Sequence, residues 1–147
     1  IFNDLAGKLD GFVAAVGTGG TLTGVGEILK DKVGPRLKVY AVEPKASPIL
    51  SGGEPGNHKI EGMGAGFIPE VLNTKIYDKV ISVSYEDAVK MARQLAKLEG
   101  ILSGASSGAA TWAAINQASK DFVRGENLVV LLADTGERYL STELYKI

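Results

Sequence analysis

The chain has 147 residues, of which 45% are hydrophobic and 22% charged, a composition typical of one globular domain with a sizeable core. Its net charge of −1 provides no strong field for nucleic acid or an anionic membrane, and no apolar run approaches the roughly 20 residues of a membrane span. The sequence has no cysteine and one histidine, His58, which excludes thiolate chemistry and argues against a metal site or a histidine-based triad.

Short apolar runs alternate with helical periodicity along the chain. The apolar runs predict strands at residues 12–16, 37–42, 79–83 and 128–133. The periodic or alanine-rich segments predict helices at residues 21–30, 85–99 and 109–119. This alternation predicts βαβ units, and hence an α/β fold with three layers: an open, mainly parallel sheet with helices on both faces.

Local signals refine the boundaries of these elements. Glu43-Pro44 is expected to end the second strand, and residues 47–66, rich in glycine and proline, predict a loop. Ser84 is a candidate N-cap with Asp87 three residues later, and Gly100 is a candidate C′ residue of the same helix. Residues 1–10 carry no signal-peptide pattern and resemble the end of a helix, so we expect the chain to be a piece of a longer protein.

The stretch "FVAAVGTGGTLTGVGEILK" places a glycine-rich turn between the first strand and the first helix. Backbone N–H groups at a helix N-terminus lack partners within the helix, and the helix dipole adds positive potential, so the turn is a candidate phosphate site. The candidate ligands are Gly17, Thr18, Gly19, Gly20 and Thr21. The absence of a lysine from the turn excludes the P-loop pattern.

A plain tight turn and a dinucleotide site remain open as alternatives for this stretch. Gly17 and Gly19 match the first two glycines of G-x-G-x-x-G, but Leu22 occupies the third position, where the fingerprint needs glycine for close packing of helix against strand. Glu43, near the end of the second strand, is a candidate ligand for a ribose.

Further turns are expected at the same edge, because parallel strands end on one side of the sheet. "EGMGAGF", residues 61–67, has little side-chain bulk and could lie against a ligand ring or be a surface loop. For "SGASSGAA", residues 103–110, close helix packing is favoured over a second anion site. "ADTGERYLST" follows the last strand and would place Thr135 over the edge.

Taken together, these stretches resemble the cysteine synthase (O-acetylserine sulfhydrylase) family, a β-replacement branch of the fold-type II enzymes that use pyridoxal 5′-phosphate. "VGTGGTLTGVG", "KIEGMGAGFIP", "GILSGASSGAA" and "DTGERYLST" resemble four family motifs in order along the whole chain, and "GERYLST" is specific to this branch.

The resemblance implies a role for each motif. Residues 17–21 would bind the cofactor phosphate, and Thr135 would hydrogen-bond the pyridine nitrogen. Gly62, Met63, Gly64 and Ala65 would lie beside the substrate, Gly62 in a segment that shifts when substrate binds. A hydroxyl leaves the ring nitrogen mostly neutral, which suits β-elimination better than transamination. Asp134 adjoins Thr135, but neighbours on a strand point to opposite faces, so only one can face the ring.

Two family segments have no counterpart here: the one carrying the Schiff-base lysine and the N-terminal loop for the substrate carboxylate. We therefore expect residues 1–147 to be the C-terminal, cofactor-phosphate-binding half, with no catalytic residue of its own, no turnover alone and a parent chain of about twice this length by resemblance. Glu61 replaces a common glutamine, and Asp134 replaces a small residue. We expect His58 to be a solvated loop residue.

The implied reaction forms cysteine from O-acetylserine and sulfide. Alternatives are a cystathionine β-synthase, an O-phosphoserine-using relative and, from another class, a nicotinamide dinucleotide-binding domain. The resemblance also implies a cytoplasmic enzyme, a homodimer when full length, and docking of the serine acetyltransferase C-terminal tail, with no nucleic acid or membrane partner.

Overall fold

The computed structural model describes residues 1–146. Four strands form one sheet in the order β3-β2-β1-β4, and every strand pairing in it is parallel. The strands are β1 (Gly11–Ala15), β2 (Lys38–Pro44), β3 (Lys79–Val83) and β4 (Leu128–Val130). The helices are α1 (Gly20–Val33), α2 (Tyr85–Gln94) and α3 (Ala105–Asn116). Short turns of π-helix (Leu95–Glu99) and 3₁₀-helix (Ala118–Asp121 and Glu137–Tyr139) complete the regular structure. The predicted α/β class is confirmed.

The helices cover both faces of the sheet, which gives the three predicted layers. Alternate residues of β1 point to opposite faces, so Phe12 packs with α1, where Leu22 and Leu29 are buried, while Val13 faces the other side. On that second face, α3 brings a row of fully buried alanines against the sheet, which allows the close approach of α2. Burial on both faces explains why the strands read as continuous apolar runs.

The strand order places a topological switch point between β1 and β4. Val13 pairs with Tyr40 of β2 on one side and with Val130 of β4 on the other. The chain leaves β1 through α1 on one face, and it reaches β4 only after α2 and α3 on the opposite face. The two connections therefore diverge and open a crevice at the carboxyl ends of β1 and β4, where open α/β sheets bind ligands.

The second strand runs further than predicted, because it includes Glu43 and Pro44. Residues on alternate positions of a strand bond to opposite neighbours: Val42 O accepts from Val16 N, and Lys45 N donates to Val83 O. The nitrogen of Pro44 therefore faces the β1 side, where β1 has already ended. Because no β1 residue remains there to accept a hydrogen bond, the lack of an N–H on Pro44 costs the sheet no pairing, and the proline does not end the strand.

The other boundaries differ by a few residues. β4 ends at Val130 rather than residue 133, and α3 begins at Ala105 rather than residue 109, because the chain after β4 bonds to the start of α3. The capping prediction for α2 is confirmed, since Ser84 Oγ accepts from Asp87 N at 3.1 Å. Gly100 has φ 69 and ends the π-helical turn as predicted.

Two smaller expectations were wrong. Residues 1–10 form turns rather than the end of a helix. The regular helix predicted at residues 85–99 becomes a π-helical turn after Gln94, which changes the angular spacing of side chains and leaves Leu98 70% exposed. In the described part of the chain, none of the helices combines the length and apolar character needed to cross a membrane.

Candidate functional site

The turn after β1 presents a row of free amide donors. Val16 N bonds to Val42 O, and the next backbone donation to another residue comes from Thr23 N to Gly19 O. Between them, no amide of residues 17–22 donates to a protein acceptor within residues 1–146. α1 is 14 residues long, and its first turn contains no acidic side chain. Free donors, a full helix dipole and no competing carboxylate are the features of a candidate anion site.

The shape of this turn depends on close contact with the glycine-rich segment, residues 62–66. A Cβ built on Gly17 would lie 2.4 Å from the carbonyl oxygen of Gly62, so no other residue fits that position without displacing backbone. Gly64 N donates to Val16 O at 2.9 Å. The structure therefore brings together two of the predicted motifs, which are more than 40 residues apart in the sequence.

The four residues predicted beside the substrate differ in exposure. Met63 is 5% exposed and belongs to the core on the α3 face, so its backbone rather than its side chain can face a ligand. Gly62 and Ala65 are exposed, and Gly64 is half-buried. Gly62, Gly64 and Gly66 all have positive φ, between 68 and 82, which gives this segment its alternating course.

His58 is not the solvated loop residue that the sequence suggested. Its ring is half-buried, with Nε2 at 2.9 Å from Gly64 O, while Nδ1 is buried without a partner among the described residues. A Cβ on Gly64 would lie 2.7 Å from the same Nε2. His58 therefore packs against the glycine-rich segment at Gly64.

Thr135 lies at the same edge of the sheet, past the end of β4. Its backbone forms an isolated antiparallel bridge with Ser103, just before α3, and its side chain is exposed. β4 neighbours β1 and runs parallel to it, so the chain that leads to Thr135 leaves the sheet at the same edge as the free amides of residues 17–22. Hydrogen bonding by the Thr135 hydroxyl holds the pKa of the Glu137 carboxyl below its usual value.

Asp134 points away from this crevice and into the start of α3. Its Oδ1 accepts from Gly104 N at 3.2 Å and from Ser107 Oγ at 3.1 Å, and its Oδ2 accepts a short bond from the Tyr139 hydroxyl. That bond, with burial second, raises the pKa of Tyr139 to about 12. Because a protein carboxylate occupies the N-terminus of α3, the favoured reading of "SGASSGAA" as a packing segment agrees with the structure.

Glu43, the candidate ribose ligand, is fully engaged inside the protein. It is 2% exposed. Its oxygens accept bonds from Leu50 N at 2.7 Å and Ser82 Oγ at 3.0 Å, together with a short bond from Ser51 Oγ. The carboxylate holds the 47–53 loop against β3 and has no free face for a ribose.

The predicted ligands surround no large enclosed cavity within residues 1–146. Gly17, Gly64 and Ala65 line a cleft of only about 10 Å³. A cavity of about 360 Å³ lies alongside, between His58, Tyr85, Ala105 and Tyr139. The phosphate turn and the glycine-rich segment therefore form one open wall of a candidate site.

Sequence reasoning missed the residues that support this wall. Asp134 was noted only as an unusual neighbour of Thr135, and the part played by Ser107 was not anticipated. A Cβ on Gly19 would lie 2.6 Å from Leu72 Cβ, so Leu72 packs under the phosphate turn. The sequence carries no signal for these contacts, because they join segments that are brought together only by the strand order.

Comparisons with known proteins agree with this geometry. The family model described as pyridoxal-phosphate dependent enzyme matches residues 1–134. A cysteine synthase from Staphylococcus aureus is 58% identical over 137 residues, which cover 93% of this chain and 44% of that protein. This chain thus spans less than half the length of that curated relative.

Solved structures show the same likeness. An O-acetylserine sulfhydrylase from Entamoeba histolytica superposes with a TM-score of 0.94 at 46% identity, covering 99% of this chain and 43% of the other. An O-acetylserine dependent cystathionine beta-synthase from Helicobacter pylori gives 0.91 at 40% identity, covering 99% and 47%. On the extent of the family match, the chain belongs to the pyridoxal-phosphate dependent enzymes.

Proposed function

We propose that this chain is the cofactor-phosphate-binding part of a cysteine synthase, which forms cysteine and acetate from O-acetylserine and sulfide. The observation that carries the proposal is the row of free amides at residues 17–22 beside the switch point, with Thr135 across the same crevice. The cysteine synthase from Staphylococcus aureus, 58% identical over 93% of the chain, supports this choice of reaction.

The residues present fit pyridoxal phosphate. Its phosphate would accept from the amides of residues 17–21 and from the hydroxyls of Thr18 and Thr21, on the positive end of α1. The exposed backbone of Gly62 and the half-buried backbone of Gly64 would lie beside the ring and substrate, where side chains would obstruct it. When bound, the cofactor withdraws electrons from the α-carbon of an amino acid, which permits loss of a proton there and of a leaving group from the β-carbon.

The choice of β-replacement rests on the group offered to the ring nitrogen. Thr135 supplies a hydroxyl, which can donate to an unprotonated pyridine nitrogen. Asp134, the adjacent carboxylate, is already bonded to Gly104, Ser107 and Tyr139, so it has no oxygen free to hold a proton on that nitrogen. With Thr135 in this place and Asp134 engaged elsewhere, the residues present would not hold a proton on the ring nitrogen, an arrangement that suits β-replacement.

The proposal treats residues 1–147 as a single C-terminal unit that needs further chain for catalysis. The phosphate turn, the glycine-rich segment and the Thr135 segment contain no lysine for the cofactor imine. The open wall of the site and the 44% coverage of the Staphylococcus aureus relative support a missing second wall. Cytoplasmic location, a homodimer of the full-length enzyme and docking of the serine acetyltransferase tail remain predictions from the resemblance.

A second β-replacement reaction is supported by one comparison. The Helicobacter pylori structure, 40% identical over 99% of this chain, is an O-acetylserine dependent cystathionine beta-synthase. The two functions share the cofactor and the acetylated substrate but differ in the attacking sulfur compound. The nicotinamide alternative is disfavoured, because Glu43 is buried and already bonded, and Leu22 packs in the core.

The test uses the full-length protein that contains this chain. Purified protein is loaded with pyridoxal phosphate and given O-acetylserine or O-phosphoserine with sulfide or homocysteine, and the products are quantified. The proposal expects cysteine from O-acetylserine and sulfide as the fastest reaction. Faster cystathionine formation would favour the second function, and absence of cofactor binding would overturn both. The isolated 147-residue chain is expected to bind phosphate without turnover.

A further inference from the structure

Asp134 sits at the junction between the Thr135 segment and α3. Through one carboxylate oxygen it accepts from the backbone of Gly104 and the hydroxyl of Ser107, and through the other from the hydroxyl of Tyr139. Ser107 Oγ in turn accepts from Ala133 N at 3.1 Å. These hydrogen bonds anchor the chain on both sides of Thr135, at residues 133 and 139, to the first turn of the buried helix α3.

The scaffold behind this junction is rigid. Ser107 is fully buried, and most of the first turns of α3 are buried against the sheet and α2. A Cβ built on Gly104 would lie 2.3 Å from a carboxylate oxygen of Asp134, so the side chain fits tightly in its place. By contrast, Thr135 itself is exposed, its own backbone contact is the isolated bridge to Ser103, and its hydroxyl bonds to the exposed carboxyl of Glu137, from which it would have to turn to reach the ring nitrogen. Its orientation therefore depends on its neighbours.

We propose that Asp134 is a positioning residue that orients the Thr135 hydroxyl toward the cofactor ring nitrogen; this rests on the function proposed above. It acts through its hydrogen bonds to Gly104, Ser107 and Tyr139 and does not itself touch the cofactor. These three donors, together with the positive end of α3, compensate the charge of the Asp134 carboxylate. The negative charge of Asp134, although it is next to Thr135 in the sequence, is thus held away from the cofactor ring.

The alternative is that Asp134 only stabilises the fold. A helix-capping carboxylate with that sole role would change the unfolding temperature when removed but would leave the bound cofactor unaltered. A positioning residue must change the environment of the ring nitrogen while the phosphate, held by the separate turn at residues 17–21, stays as it was. The environments of the ring nitrogen and of the phosphate can therefore be measured separately, and together they distinguish the two roles of Asp134.

The experiment uses full-length protein loaded with pyridoxal phosphate labelled at the ring nitrogen, observed by nitrogen and phosphorus NMR. In Asp134→Ala, the ring-nitrogen resonance is expected to move toward that of a pyridine without a hydrogen bond, while the phosphorus resonance stays unchanged. Loss of one neutral hydrogen bond corresponds to about threefold to tenfold weaker cofactor affinity. Asp134→Asn keeps an acceptor for Gly104 N and Ser107, and Tyr139 can then accept from its amide, so it is expected to restore the wild-type resonance.

Two further variants complete the design. Asp87→Ala removes a carboxylate from the first turn of α2, where it accepts from Ser84 Oγ, and serves as the control that should leave both resonances unchanged. If Asp134→Ala does not fold, Ser107→Ala, which cuts the link to Ala133, is expected to move the nitrogen resonance in the same direction.

The outcomes separate the two proposals. Wild-type protein that binds no cofactor would overturn the proposed function. Bound cofactor with an unmoved nitrogen resonance in the folded variant would overturn the role of Asp134 alone. Equal changes at phosphorus and nitrogen would mean general disruption and would also overturn it, as would an Asp134→Asn variant that behaves like Asp134→Ala.

Discussion

The backbone carbonyl of Gly62 lies so close to Gly17 that a Cβ on Gly17 would come within 2.4 Å of the oxygen. This contact joins the phosphate turn to the glycine-rich segment. It makes both motifs parts of one wall, although one follows β1 and the other lies in the long loop before β3. The tolerance of each glycine to a side chain is therefore a direct test of the geometry.

Gly17→Ala is expected to lower the free energy of unfolding by about 1–3 kcal/mol, because backbone must move to admit the methyl group. Gly24→Ala is the matched control in the same region: a Cβ there meets nothing within 4 Å, and Gly24 lies inside α1. This control should stabilise by about 0.5–1 kcal/mol, since alanine favours helix. Denaturant unfolding of the two variants checks both values. Equal effects would contradict the close contact.

Glu43 should be a structural carboxylate. Glu43→Ala leaves the amide of Leu50 and the hydroxyl of Ser82 without their acceptor, in a buried place, so we expect a loss of about 2–4 kcal/mol in unfolding free energy. Glu43→Gln should recover most of this loss, because its carbonyl can accept from Leu50 N while the serine hydroxyls rotate to accept from its amide.

The control for Glu43 is Glu70→Gln at an exposed position, expected within about 0.5 kcal/mol of wild type. Thermal and urea unfolding provide the measurements. A Glu43→Ala protein as stable as wild type, or one that lost binding of a nicotinamide dinucleotide, would contradict the structural role and reopen the dinucleotide reading.

The sequence was sufficient to predict the parts of the fold that depend on local pattern. The apolar runs located all four strands, and Ser84 and Gly100 marked the ends of the second helical segment. The strand that continues through Pro44 could not be predicted, because tolerance of proline depends on which neighbour its nitrogen faces. That direction is a property of the sheet order and not of the local sequence.

The candidate site also has parts that the local sequence could predict and parts that it could not. The phosphate turn was predictable from glycines between strand and helix, since the free amides follow from local geometry. The roles of Asp134 and His58 were not. Asp134 depends on Gly104 and Ser107, which belong to a distant segment that the strand order brings to the same edge. His58 bonds to Gly64 of its own loop, and the course of that loop is not readable from the local pattern.

Arg93 is expected to anchor the C-terminal segment to α2. Its Nε and Nη2 donate to the carbonyls of Leu144 and Glu143, both at 2.7 Å. Arg93→Lys keeps the charge but loses the paired geometry, so we expect a cost of about 1–3 kcal/mol and faster proteolysis after residue 140. Arg124→Lys, at an exposed loop position, is the control and should change neither. Unchanged proteolysis of Arg93→Lys would refute the anchoring role.

Tyr139 should make stability fall at alkaline pH. Its hydrogen bond to Asp134, with burial second, raises its pKa from 10.0 to about 12 in the folded protein. Because the folded pKa is the higher one, the stabilisation is fully present below pH 10, and it is lost as pH rises through about 12.

The variant Tyr139→Phe tests this prediction because it removes the ionisable group. The stability of wild type relative to this variant should therefore decline between these two pH values in urea unfolding. In an absorbance titration of tyrosinate, the variant should show one group fewer than wild type titrating near pH 12. A constant stability difference across this pH range would show that the Tyr139 hydroxyl ionises equally in the folded and unfolded states and is not held by Asp134.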